Sequence, residues 1–164
     1  MYAYDPSRWS DLFVATAGAT AALAGLLFVA VSINLDRILA ETGLADRALE
    51  TVMMLLGALI VSIIGLIPGQ SDGAVGFEIF LAGMLFAWLI ARLRLVYDPA
   101  VPVPRSWLVS RWGIRALSAL PLILGGISLM TGDGGGLYWV VAGIVFAIAG
   151  AVTNAWVLLV EILR

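Results

Sequence analysis

The chain has 164 residues, 62 % apolar and 12 % charged, with a formal net charge of −2 and a mean hydropathy of +1.06. Soluble domains carry about 45–50 % apolar and about 25 % charged residues, so the composition excludes an ordinary globular core and points to a membrane protein. It also narrows the chemistry: Cys and His are absent and all 9 basic residues are Arg, which removes thiolate metal sites, the commonest general base and any lysine nucleophile. No cofactor, metal site or nucleic-acid partner is expected, and the chain is read as a non-enzyme.

A helix needs roughly 17–25 apolar residues to cross a bilayer, and five segments meet that need, at about 12–35, 51–67, 75–91, 112–130 and 137–159. The expected fold is therefore all-α, a single domain over residues 1–164 built as a bundle of five transmembrane helices. The first span is longer than a signal-peptide core of about 7–15 residues and follows only Arg8, so it is read as a retained anchor.

Within that first span Ala15, Gly18, Ala22, Gly25, Val29 and Ser32 recur at spacings of three and four, which places them on one helix face. Lipid already solvates apolar side chains, so helices in a bilayer associate through close packing and hydrogen bonds, and small residues let backbones approach. A packing seam is expected here, against the alternative that Gly and Ala are simply common in membrane helices. Thr16, Thr20, Ser32 and Asn34 form a polar side of this helix that a channel would use to line a pore.

The segment "WSDLF…AGATAALAGLLFVAVSINLDRIL" resembles the opening of a family of small bacterial polytopic membrane proteins, some of whose members are labelled modulators of a membrane AAA protease. The resemblance covers the first helix and, in outline, the remainder; it implies no catalytic residue. The same run is similar to the pore helix of Orai calcium channels in the spacing of its Ala-Leu, Gly and Val-Ala steps. The acidic filter position of those channels has no counterpart here, and their first helix starts in the cytoplasm.

The second span stops at "PGQSDG", a Pro-Gly breaker. The third carries Glu78 near its start, where a cation could meet it, although a carboxylate at a helix N-terminus is favoured by the macrodipole alone. Next comes "RLRLVYDPAVPVPRSWLVSRWGIR", whose prolines end the third helix and whose Ser106 is a candidate N-cap for the fourth. Arg92, Arg94, Arg105, Arg111 and Arg115, with Tyr97, Trp107 and Trp112, form either an anionic-lipid contact or an ordinary aromatic belt with snorkelling Arg; the second is preferred.

Pro121, Gly125 and Gly126 in the fourth span allow a kink or close packing, with packing preferred. The fifth repeats the small-residue theme at Gly143, Ala147 and Gly150 and ends it in Asn154, an amide able to bond across a helix interface. "AGLLF" at 24, "AGMLF" at 82 and "AGIVF" at 142 suggest an internal hairpin repeat of about 59 residues.

Five crossings put the termini on opposite sides. Arg37, Arg47, Arg92, Arg94, Arg105, Arg111, Arg115 and Arg164 fall on one side and Arg8 alone on the other, so the N-terminus is expected outside and the C-terminus in the cytoplasm of a cell inner membrane. The expected function is tight helix–helix association, as a homo-oligomer or as a small accessory subunit of a membrane complex. The alternative is a homo-oligomeric channel or small-solute transporter lined by the polar side of the first helix. The expected partners are the lipid bilayer, other membrane subunits and anionic lipid.

Overall fold

A computed structural model describes residues 2–40, 43–93 and 105–162, with the backbone alone for 105–110 and 161–162. Every regular element among the described residues is helical. Two 3₁₀ turns, Tyr2–Tyr4 and Pro6–Trp9, lead into α1 (Ser10–Ile33); then follow α2 (Leu35–Ala40), α3 (Leu44–Leu66), α4 (Asp72–Arg92), α5 (Arg105–Thr131) and α6 (Leu137–Ile162). Five helices, α1, α3, α4, α5 and α6, are long and apolar enough to cross a membrane.

Local chemistry sets the ends. Asp5 caps the second 3₁₀ turn through Ser7, with Pro6 supplying a fixed φ at its start. Ser71 caps α4 by accepting from the Ala74 amide at 3.3 Å. Pro68 and Gly69, the latter at φ +77°, end α3, since Pro cannot continue the hydrogen-bond ladder and Gly tolerates the left-handed turn. Asn34 ends α1: its own amide bonds back to Val31, and Ile38 then bonds to Asn34 to begin α2.

Helices α3, α4, α5 and α6 form a ring in which each packs on the next, and α1 docks outside it on α3. Backbone contact closes the ring. A Cβ on Gly126 of α5 would lie 2.6 Å from the Phe80 amide nitrogen of α4, and one on Gly76 would lie 2.9 Å from the Gly126 carbonyl oxygen. Gly125, one residue earlier, faces Val140 of α6 instead. The adjacent glycines therefore serve two neighbours, and α5 runs unbroken through Pro121. On the outer helix, Phe13 is fully buried against Gly65 of α3, where a Cβ would sit 2.5 Å from its ring.

The two ends of the bundle differ. The amino-terminal turns meet the α5–α6 connection, where the Gly135 amide donates to the Tyr4 hydroxyl at 3.1 Å and Trp9 packs edge-on to Tyr138. The first turns and residues 132–136 thus share one end, and α6 finishes at the other. Two boundaries depart from the sequence expectation. The span expected at 51–67 begins at Leu44, and the one expected at 112–130 begins at Arg105, so Ser106 lies inside the first turn. In both cases charged residues interrupt the hydropathy without interrupting the helix, for a reason given by the ion cluster described next.

Candidate functional site

At the end remote from the amino terminus, Glu50 of α3 is 2 % exposed. Arg115 of α5 donates to it through Nε at 2.8 Å and Nη2 at 3.0 Å, a bidentate fork, and Arg111 adds a third contact one helical turn away. Arg115 is itself 3 % exposed, and its Nη1 reaches the Leu93 carbonyl of α4 at 3.4 Å, while its guanidinium lies 5.5 Å from the Trp112 ring centre. One carboxylate therefore ties α3, α5 and the end of α4 together. An unpaired charge here would be costly, whereas the matched fork satisfies both carboxylate oxygens.

This cluster redirects two of the expected lipid contacts. Arg115 is turned into the protein, and Arg111 also points at Glu50. Arg92 is exposed, with its guanidinium 4.7 Å above the Trp88 ring. Arg94, the prolines at 99, 102 and 104, Tyr97, and the side chains of Arg105 and Trp107 lie outside the described residues. Glu50 escapes a reading based on span counting, because a lone acid before an apolar run looks like loop.

The polar residues of α1 do not share a face. Thr20 is fully buried toward the bundle, and its hydroxyl donates to the Thr16 carbonyl at 2.7 Å. Ser32 is exposed on another side and bonds to the Phe28 carbonyl at 2.8 Å; the Asn34 amide bonds to the Ala30 carbonyl at 2.9 Å. Each is satisfied within its own helix. Glu78 is half-buried at the opposite end and accepts from Gln70 Nε2 at 2.8 Å, leaving the Gln70 Oε1 without a partner among the described residues. At the amino-terminal end, the Ser7 hydroxyl and the Arg8 guanidinium hold the Asp5 carboxyl below its ordinary pKa. The described residues hold no group of three potential metal-ligating side chains.

The small-residue stripes divide sharply. In α6, Gly143, Ala147, Gly150 and Asn154 are all buried. A Cβ on Gly143 would fall 2.7 Å from Leu122 of α5, and one on Gly150 would fall 2.6 Å from Ile114 of α5 and 3.1 Å from Met54 of α3. In α1, Ala15, Gly18, Ala22, Gly25, Val29 and Ser32 are all exposed, and a Cβ on Gly18 or Gly25 would meet nothing within 4 Å. The expected seam in α6 is thus filled by the chain's own helices, whereas the α1 stripe is left exposed. Its inward side is instead the heptad Phe13, Thr20 and Leu27.

The three Ala-Gly-apolar-apolar-Phe segments follow the same division. Gly83 and Gly143 flank α5 from either side at one residue, Leu122, and Gly25 has no counterpart contact. No family model, no curated protein and no solved structure matches the chain.

Proposed function

We propose that the chain is a multi-pass membrane protein whose first span is an association helix, pairing in the bilayer with the first span of a second copy. One observation carries the reading: the whole stripe from Ala15 to Ser32 is open, while the glycines that line the α4, α5 and α6 contacts are filled. A stripe of 17 residue steps extends about 26 Å along the helix, close to the hydrocarbon thickness.

Two further features support the choice of a second copy. Copies inserted in the same orientation pair through a twofold axis along the membrane normal, which sets one stripe against its own image. Flat Gly and Ala surfaces are self-complementary in that arrangement, and they allow the close backbone contact by which helices associate in lipid. In addition, only 11 % of the α1 span is buried, against 33–50 % for the other four, so α1 has the most surface left to give. On the Arg distribution, the Glu50 end faces the cytoplasm in this reading.

The channel reading draws on Thr16, Thr20, Ser32 and Asn34; Thr20 is buried toward the bundle while Ser32 is exposed, and Thr20, Ser32 and Asn34 bond to carbonyls of the first span, which offers no continuous polar path. The test is to label the purified chain, reconstitute it at low density in liposomes and count copies by single-molecule photobleaching. The native chain is expected to form dimers, and Gly18→Leu with Gly25→Leu to leave monomers with unchanged thermal unfolding. Association that survives both changes would remove the reading.

A further inference from the structure

A second face of the bundle combines an apolar groove with exposed positive charge. Helices α3 and α4 are joined by the turn 67–71, and a groove of about 200 Å³ lies between the middle of α3 and the half of α4 remote from that turn. Met53, Gly57 and Ile60 form one wall, Leu85 and Leu89 the other, and Leu122 of α5 the floor. Leu85 is 57 % exposed and Ile60 49 %, so the groove is open sideways, toward acyl chains in the membrane reading.

All three helices lead from this groove to the same ionic end. Arg92 stands one helical turn beyond Leu89 on α4; Glu50 stands one turn before Met53 on α3; Arg115 stands two turns before Leu122 on α5. Arg115 touches the Leu93 carbonyl, which brings the buried ion cluster up to the end of α4. There Glu50 is already met by two guanidinium groups. Among the described residues Arg92 has no carboxylate partner; its guanidinium lies over the ring of Trp88, one turn earlier on α4.

We infer that this groove binds one anionic phospholipid, with an acyl chain between α3 and α4 and its phosphate against Arg92. The apolar walls recognise the chain, and the exposed guanidinium beside an ion cluster that already neutralises Glu50 recognises the negative headgroup. Arg115 acts as a positioning residue that fixes the end of α4. The inference rests on the membrane reading and is independent of self-association, because no residue of α1 belongs to the groove.

Native mass spectrometry of the delipidated full chain in detergent tests it, using phosphatidylglycerol and phosphatidylcholine with identical acyl chains. The native chain is expected to take up one phosphatidylglycerol in preference to phosphatidylcholine. Arg92→Gln should weaken phosphatidylglycerol binding about fivefold and leave phosphatidylcholine unchanged. Ala82 also lines the groove, so Ala82→Leu, which fills it, should weaken both. Should that variant misfold, Arg92→Gln at an exposed position still decides the matter. Equal uptake of the two lipids, an unchanged Arg92→Gln variant, or full displacement of the lipid by glycerol 3-phosphate would overturn the inference. Binding seen only on monomers would assign the groove to a second copy and overturn it equally.

Discussion

In α6, Gly143, Ala147 and Gly150 are buried, and a Cβ on either glycine would strike Leu122, Ile114 or Met54; in α1, Ala15, Gly18, Ala22 and Gly25 are exposed, and a Cβ on either glycine would meet nothing within 4 Å among the described residues. The two stripes are built from the same residue types at the same helical spacings. Their difference shows that small-residue periodicity encodes a capacity for close approach but leaves the identity of the approaching helix open. That identity comes from topology. Helix α6 is the fourth member of a closed ring and has neighbours on two sides, whereas α1 touches the ring mainly through α3 and keeps its other faces free.

The largest effect should come from the cluster that holds the ring together. Glu50→Ala leaves Arg115 buried without its fork and is expected to destabilise the fold by about 3–5 kcal/mol, measured by unfolding in mixed micelles. The loss should appear with α1 association blocked or intact, because the cluster belongs to the ring alone. Gly143→Leu and Gly150→Leu come next. A side chain there must displace Leu122 or Ile114, and overpacking of this kind costs about 1–3 kcal/mol. The same substitution at Gly18 or Gly25 should change unfolding by less than about 0.5 kcal/mol, since the added atoms enter open space. Equal destabilisation by the α1 and α6 substitutions would erase the distinction between the two stripes.

Much of this architecture is legible in the sequence. Five helices long and apolar enough to span follow from hydropathy, and the spacing of Gly143, Ala147 and Gly150 marks a close-packing face without saying that the chain's own helices fill it. Gly125 and Gly126 act in close packing, because one meets α6 and the other α4. What stays hidden is pairing across long sequence separation. Nothing local to Glu50 reveals that Arg111 and Arg115 converge on it, so the acid reads as loop and the Arg as free snorkelling groups. The direction of the α1 stripe is hidden for a related reason. Phe13, Thr20 and Leu27 give that helix a second usable face, and it is this face that turns inward, with Phe13 seated on Gly65 of α3.

The absence of native Cys makes a direct measurement clean. Single Gly18→Cys, Gly25→Cys and Leu81→Cys variants, with Leu81 as an exposed position on α4, can be oxidised in native membranes and resolved by non-reducing electrophoresis. The account predicts covalent dimers from the two α1 variants and none from Leu81→Cys. Dimer yields at positions 18 and 25 no higher than at 81 would contradict it.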